Sequence, residues 1–294
     1  MVSAPFGRVV VCGVGLIGGS FALALKRQGL VREVVGLGRS RASLEEALSL
    51  GIIDSISEGW ADALRAADLV LLAMPVGSMT AAMEAMAPHL EPQTLVTDAG
   101  STKRDIVEGI YTHLRAHLDR IVPAHPIAGA ERSGASAATA DLYQGRKVVL
   151  TPLVENSAEA LARVREAWGA CGAELSEMSP QEHDRVFAAV SHLPHLLAFA
   201  LVHDIAERAN SDELFSFAAS GFRDFSRIAS SHPEMWRDIC IANRHALQAE
   251  LDTYLSELAW IRALLAQGDG PALEKLFTDA RDARNAWLAG HFKA

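Results

Sequence analysis

The chain lacks a Cys-x-x-Cys pair, a surplus of basic residues, and any long apolar run free of glycine, histidine and proline. Each absence excludes a class. The three cysteines, Cys12, Cys171 and Cys240, are scattered and odd in number. That excludes a disulfide framework or a zinc knuckle and fits reduced thiols in a cytoplasmic protein. Lys plus Arg is 27 against 36 Asp plus Glu, a net charge of 27 − 36 = −9. Nucleic-acid binders carry a basic excess, so nucleic acid is not an expected partner. A small anion is still allowed, because a local arginine or a helix N-terminus can hold one against an acidic background. The segment 1–7 has no basic stretch leading into an apolar one. The apolar run that follows is broken by Gly13, Gly15, Gly18 and Gly19, so a signal peptide is not expected. A further uncharged stretch, Val186 to His203, contains His192, Pro194, His195 and His203. It suits a buried helix of a soluble protein better than a membrane span, and no membrane partner is expected. No internal repeat or low-complexity tract appears.

What is present is a globular composition, half hydrophobic and 21% charged. At about 150 residues per domain, the length suggests two domains. The first half alternates short apolar, β-branched runs with helical patterns. The strands are Arg8–Cys12, Glu33–Gly36, Leu69–Ala73, Thr94–Thr97, Arg120–Pro123 and Lys147–Thr151. Between the first five lie helical patterns at Phe21–Gln28, Ser43–Leu50, Ser78–Leu90 and Asp105–Leu118. Continuous apolar strands separated by helices indicate an α/β fold with a parallel sheet covered on both faces. The pattern changes at Ser179-Pro180-Gln181-Glu182, which has a Ser N-cap, Pro at the first helical position and Glu three residues after the cap. Helical periodicity runs from there onward; Leu247, Leu251, Leu255, Leu258 and Ile261 mark one face of a long helix. The expected organisation is 1–178, a Rossmann-type dinucleotide-binding domain, and 179–294, an all-α domain. So short a bundle has more apolar helix faces than it can bury alone, which favours a homodimer.

Gly13-Val14-Gly15-Leu16-Ile17-Gly18 matches G-x-G-x-x-G in a strand–turn–helix context. The first glycine makes the turn, the second lets the backbone approach a pyrophosphate and the third lets helix and strand pack closely. The helix N-terminus, with the amides around Leu16 and Ile17, faces the phosphates. The plain alternative is a glycine-rich turn with no ligand. An acid at the end of the second strand would hold the ribose of NAD. Here that segment is Gly36-Leu37-Gly38-Arg39-Ser40-Arg41, with no acid. Arg39 and Ser40, with Arg41 beside them, can meet a 2′-phosphate, which favours NADP over NAD. The bland reading is a solvated basic loop.

Three later segments carry chemistry: Asp98-Ala99-Gly100-Ser101-Thr102-Lys103, His125-Pro126-Ile127-Ala128-Gly129-Ala130-Glu131, and Gly221 to Ala229 followed by His232 to Asp238. The first two follow strands, where open α/β sheets place ligands. With the glycine turn and Ser191-His192-Leu193-Pro194-His195, they closely resemble the prephenate and arogenate (cyclohexadienyl) dehydrogenase family of tyrosine biosynthesis, in order and spacing, from Gly13 to at least Asn243. The resemblance implies an N-terminal dinucleotide-binding domain and a C-terminal helical dimerisation domain. It also implies the monofunctional bacterial type, without a chorismate mutase extension. The activity implied is oxidative decarboxylation of prephenate to 4-hydroxyphenylpyruvate, of arogenate to tyrosine, or of both, with hydride transfer to NADP or NAD.

That chemistry needs a base at the ring hydroxyl, a cation at a carboxylate and a held nicotinamide. His125 matches the family's catalytic histidine and would accept a hydrogen bond from the hydroxyl; its plain alternative is a His-Pro turn in an extended loop. Ser101 matches a serine near the hydroxyl and nicotinamide. Ser101 or Thr102 could equally cap the helix that follows. Arg227 matches the substrate-carboxylate arginine, with a surface ion pair to Asp224 as its alternative. His192 matches a pocket histidine near the substrate's arm, and Glu131 an acid near the pocket mouth. Trp236 packs at the pocket, or equally in the core or dimer interface. No metal is expected, since no carboxylate or cysteine completes a set around His192 and His195. Cys12 reads as a small buried hydrophobe. Two other readings stay open: a different NADP-linked two-domain dehydrogenase of a hydroxy acid, and a non-catalytic dinucleotide-binding sensor.

Overall fold

A computed structural model describes residues 6–129 and 132–291. Six strands form the main sheet: β1 (Phe6–Cys12), β2 (Val31–Leu37), β3 (Ser55–Ile56), β4 (Leu69–Leu72), β5 (Leu95–Asp98) and β6 (Ile121–Val122). Their order is β3-β2-β1-β4-β5-β6, and every pairing is parallel. The helices between them are α1 (Leu16–Arg27), α2 (Arg41–Ser49), α3 (Trp60–Ala63), α4 (Met79–Met86) and α5 (Arg104–His113).

Side-chain alternation along the strands explains why they read as unbroken apolar runs. Val9 and Val11 of β1, with Leu69 and Leu71 of β4, point into a core shared with Phe21, Leu25 and Trp168. Val10 and Cys12, with Val70 and Leu72, point the other way, to Met79, Met83, Ile106 and Ile110. Successive residues of a strand face opposite sides, so a sheet covered on both faces needs apolar residues at every position. Each fully buried Leu or Val contributes about 1.5–3 kcal/mol by leaving water. The order reverses between β1 and β4. Their carboxyl ends therefore diverge into the crevice where such sheets bind ligands.

Several boundaries differ from the sequence reading. The helix expected over Ser78–Leu90 is α4 flanked by 3-10 turns at Val76–Ser78 and Ala87–His89; Pro88, with no N–H to donate, falls in the second turn. The strand at Lys147–Leu150, β8, is not in the main sheet. It pairs antiparallel with β7 (Ala124–Pro126) and parallel with β9 (Glu174–Glu177) in a second, three-stranded sheet. His125 therefore sits within a strand rather than an extended loop. Helix α6 (Ala158–Ala170) precedes β9 and supplies Val164, Ala167 and Trp168 to the first core.

After β9 the described chain is helical: α7 (Pro180–Phe187), α8 (Leu193–Ala206), α9 (Ser211–Ser216), α10 (Ser220–Ser226), α11 (Pro233–Ala242), α12 (Arg244–Gln267) and α13 (Gly270–His291). Ser179 caps α7 by accepting from the Glu182 amide at 3.1 Å, with Pro180 at the first position. A π turn, Ala188–His192, joins α7 to α8. Pro194 cannot donate to the carbonyl of Val190, and the helix widens there. By length and composition Pro180–Ala206 could cross a membrane, and only 28% of its most apolar window is buried. The expectation of a buried helix thus holds for one face only. That face carries His183, Asp184 and His192, while Val190 and Leu201 are exposed.

By packing, the chain divides into two compact units, the first ending at Arg244 and the second starting at His245. Helix α11 belongs to the first, where Trp236 and Ile239 join the second core. The second unit consists of most of α12 and all of α13. Leu255, Leu258, Trp260, Leu265 and Phe277 are exposed on these two helices.

Candidate active site

The glycine turn at the end of β1 is shaped by close approach. Gly13 has φ +96°, and a Cβ there would lie 2.5 Å from the Ala73 carbonyl oxygen. A Cβ on Gly18 would lie 2.3 Å from the Gly13 oxygen and 2.7 Å from Val11 Cγ1. These two glycines are required by the protein's own packing. Gly15 differs: among the described residues, nothing beyond its chain neighbours lies within 4 Å of its Cβ position. It is the N-cap of α1 and offers no side-chain cap. The first amides of the helix, at Leu16, Ile17 and Gly18, have no acceptor within it. A bare helix start beside an open glycine cradle fits a dinucleotide pyrophosphate.

At the end of β2, Arg39 is exposed. Ser40 caps α2, its hydroxyl accepting from the Ser43 amide at 3.2 Å. Arg41 pairs with Glu45 at 2.9 Å and lies 3.6 Å from Glu58, while Arg39 faces water.

The centre of the site is built on the loop after β5. Asp98 ends that strand. Its Oδ2 accepts from the Gly100 amide at 2.7 Å and from Lys103 Nζ at 2.5 Å, and its Oδ1 accepts from the Ala124 amide at 3.0 Å. One buried carboxylate thus ties the loop, the buried Lys103 and the start of β7 together. Burial pushes the Asp98 carboxyl up, and the Lys103 charge holds it back. Ser101 is half-buried in this loop. Neither Ser101 nor Thr102 caps the following helix. The amides of Lys103 and Arg104 are instead taken by Asp184, at 2.8 and 3.0 Å. A carboxylate at the start of α5 also meets the positive end of the helix dipole.

Asp184 anchors a chain of imidazoles. His183 Nδ1 lies 2.8 Å from Asp184 Oδ1, and His183 Nε2 lies 2.8 Å from His125 Nδ1. Phe187 walls both rings, with centroids 4.8 Å from His125 and 4.5 Å from His183. Burial drives His183 down to about 2, and the Lys103 charge adds to this. Burial likewise holds His125 well below the ordinary histidine value, helped by His183 and Lys103. Both rings are neutral near pH 7.

His192 occupies a second branch. Asn243 Nδ2 donates to the Asp184 carbonyl at 2.7 Å and lies 3.1 Å from His192 Nδ1. The amide nitrogen is fixed by the carbonyl, so its second hydrogen faces Nδ1 and the His192 proton sits on Nε2. That Nε2 is buried beside the Ser101 backbone without full hydrogen-bond geometry. Burial lowers His192 to about 4. The structure therefore brings His192 to the Ser101 loop.

A third group lies along α8 and α11. His195 stacks on buried Trp236, with centroids 3.6 Å apart at 18°, and His192 meets the same indole edge-on at 6.1 Å. Trp236 Nε1 is buried and has no hydrogen-bond partner among the described residues. Arg227 is exposed at the start of a 3-10 turn after α10, and its charge reaches His195. Asp224 pairs with Arg223, at 3.6 Å. Glu131 lies outside the described residues. Among the described residues, no group of three or more His, Cys, Asp or Glu could hold a metal ion. Cys12 is buried, and its thiol is pushed up to about 12.

Sequence reasoning missed His183, Asp184 and Asn243 and gave His195 no role beyond a possible metal pair. In the sequence His183-Asp184 reads as the polar first turn of a capped helix. The available signal was its place on a helix whose next four residues, Arg185 aside, turn apolar.

Comparison with known proteins gives the family. The family described as "Prephenate dehydrogenase, nucleotide-binding domain" matches residues 21–177, and "Prephenate dehydrogenase, dimerization domain" matches 179–279. Cyclohexadienyl dehydrogenase of Zymomonas mobilis is 35% identical over 288 residues, covering 97% of this chain and 98% of its own. Prephenate dehydrogenase of Bacillus subtilis is 35% identical over 286 residues, covering 94% and 75%. The crystal structure of prephenate dehydrogenase from A. aeolicus, in complex with hydroxyphenyl propionate and NAD+, superposes with a TM-score of 0.88 at 34% identity, covering 95% and 98%. Two family matches that together span most of the chain, and relatives this similar over nearly its full length, show that it belongs to the prephenate dehydrogenase family.

Proposed function

We propose that this protein oxidises and decarboxylates prephenate, arogenate or both, in the formation of tyrosine. The observation that carries the reading is the buried, neutral His125 beside the dinucleotide-binding turn's sheet, with its Nδ1 already engaged by His183. A cyclohexadienol loses hydride from its carbinol carbon as its hydroxyl loses a proton. Loss of the ring carboxylate as CO2 then makes the ring aromatic. A bound nicotinamide dinucleotide would supply the hydride acceptor, and Gly13, Gly15, Leu16, Ile17 and Gly18 would hold its pyrophosphate.

In this reading His125 accepts the hydroxyl proton, and Ser101 orients the hydroxyl or His125. A positioned base of this kind contributes about 10²–10⁴-fold. Arg227 orients a substrate carboxylate, and its hold must not favour the ground state too strongly, or it would oppose CO2 loss. His192 and Trp236 line the side of the arm, where His195 joins them, and the resemblance assigns Glu131 a part in admitting substrate. Arg39 and Ser40 would meet a 2′-phosphate, favouring NADP over NAD. The homodimer is supported by the dimerisation-domain match and by the exposed apolar residues of α12 and α13. A division of roles at 1–178 and 179–294 follows the end of the last strand, β9. Unpaired cysteines suit the cytoplasm.

The test is a matrix of initial rates with prephenate and arogenate against NADP and NAD. The expected result is reduced cofactor with stoichiometric CO2, and higher kcat/KM with NADP. No turnover of either substrate defeats the reading; a strong preference for NAD defeats the assignment of Arg39 and Ser40.

A further inference from the structure

We infer that Asp184 and His183 are a positioning pair that sets which nitrogen of His125 carries its proton. The direction of each bond follows from one fact: a carboxylate only accepts. Asp184 Oδ1 lies 2.8 Å from His183 Nδ1, so that nitrogen is the donor. His183 is neutral, so its Nε2 carries no hydrogen and accepts. His125 Nδ1, 2.8 Å away, therefore donates to it. The remaining nitrogen of His125, Nε2, is left as a bare lone pair. This is the form that can receive a proton from a substrate hydroxyl. An isolated imidazole prefers the opposite tautomer, with hydrogen on Nε2, which would face the hydroxyl with a donor.

The pair is held from both ends. Asp184 is fixed by two backbone amides at the start of α5, and its own backbone carbonyl by Asn243. His183 is fully buried between Asp184, His125 and Phe187. The same arrangement serves the step itself. As His125 takes the hydroxyl proton on Nε2, its Nδ1–H remains on His183, whose Nδ1–H remains on the Asp184 carboxylate. The developing positive charge is met through two hydrogen bonds without a second proton moving. In the Ser-His-Asp hydrolases a carboxylate holds a catalytic imidazole in the same way, by direct contact. Here a second imidazole lies between them. The strand β7 carries His125 and the helix α7 carries the pair, so α7 supplies part of the reaction geometry as well as packing.

The inference rests on His125 being the proton acceptor, and the experiment separates the two. The ligand-free full-length protein is labelled with 15N-histidine, and the His125 ring is assigned by its loss in His125→Asn. The expected spectrum shows a neutral ring protonated on Nδ1. In His183→Phe, which fills the space but cannot accept, the hydrogen moves to Nε2. That variant's kcat falls by about 10²-fold, toward the loss seen with a wrong tautomer elsewhere, while KM changes by less than about twofold. In His183→Gln, whose amide oxygen can accept the same hydrogen, kcat recovers to within about tenfold of the parent. A parent ring protonated on Nε2 overturns the inference without any variant. So does full kcat in His183→Phe, or an equal loss in Phe and Gln. If His125→Asn also keeps its kcat, the base assignment itself has failed. If only His183→Phe does, the positioning pair alone has failed.

Discussion

Lowering the pH should weaken this protein steeply, for a reason visible in its interior. His125, His183 and His192 are buried and neutral, with His183 held at about 2, His192 at about 4 and His125 well below the ordinary value of 6.5. In the unfolded chain each would titrate near 6.5. The unfolded state then binds protons that the folded state refuses. Stability is therefore full above about pH 6.5 and drains away as the pH falls below it. At about pH 5, a histidine that is neutral when folded and titrates near 6.5 when unfolded costs about 2 kcal/mol. Three such groups cost up to about 6 kcal/mol, within the whole stability of a typical domain. Below about pH 4 the cost from His192 levels off, because the folded ring then takes up its own proton. Asp98, Asp105 and Asp184 have carboxyls raised by burial. They work in the opposite direction, since the folded protein takes up their protons first, so six is an upper figure. The measurement is urea unfolding followed by tryptophan fluorescence from pH 8 to pH 5. The unfolding midpoint should be flat from pH 8 to 7 and fall increasingly below pH 6.5. A midpoint that is constant or rises between pH 7 and 5 would refute the buried-imidazole argument.

Other substitutions test separate parts of the site. Gly15→Ala should leave the melting temperature unchanged, since nothing lies near its Cβ position, and should weaken dinucleotide binding by at least about tenfold in a fluorescence titration. Gly18→Ala should do both, destabilising by about 1–3 kcal/mol because its Cβ meets backbone and Val11; equal thermal shifts in the two variants would contradict the packing described. His125→Asn should lower kcat by about 10²–10⁴-fold with little change in KM, whereas Arg227→Gln should mainly raise the substrate KM, by about tenfold or more. Steady-state kinetics of the pair checks both, and a KM effect confined to His125→Asn would reverse the assignments. Lys103→Met strands the buried Asp98 carboxylate and should cost about 3–5 kcal/mol in chemical unfolding; a loss below about 1 kcal/mol would mean that Asp98 is neutral.

The sequence by itself determined the sheet and the glycine turn. Hydrophobic runs such as Leu69 to Leu72 are unbroken because both faces of a parallel sheet are covered, and that signature is local. The Ser179 cap, the change to helices and the glycine-rich turn are local as well, since each depends on residues within one turn of one another. His125, Ser101 and Arg227 stand out in the sequence because their neighbours form recognisable segments. Tertiary structure alone decided what surrounds them. His183 is 58 residues from the histidine it contacts, and Asp184 is 81 from the amide it caps. No periodicity relates such positions. Pairing of β7 with β8, not any local preference, puts His125 in a strand. The state of the site follows the same rule. That His125 is neutral, and which nitrogen bears its proton, depends on burial and on a carboxylate on the far side of a second imidazole, which only the packed chain brings together.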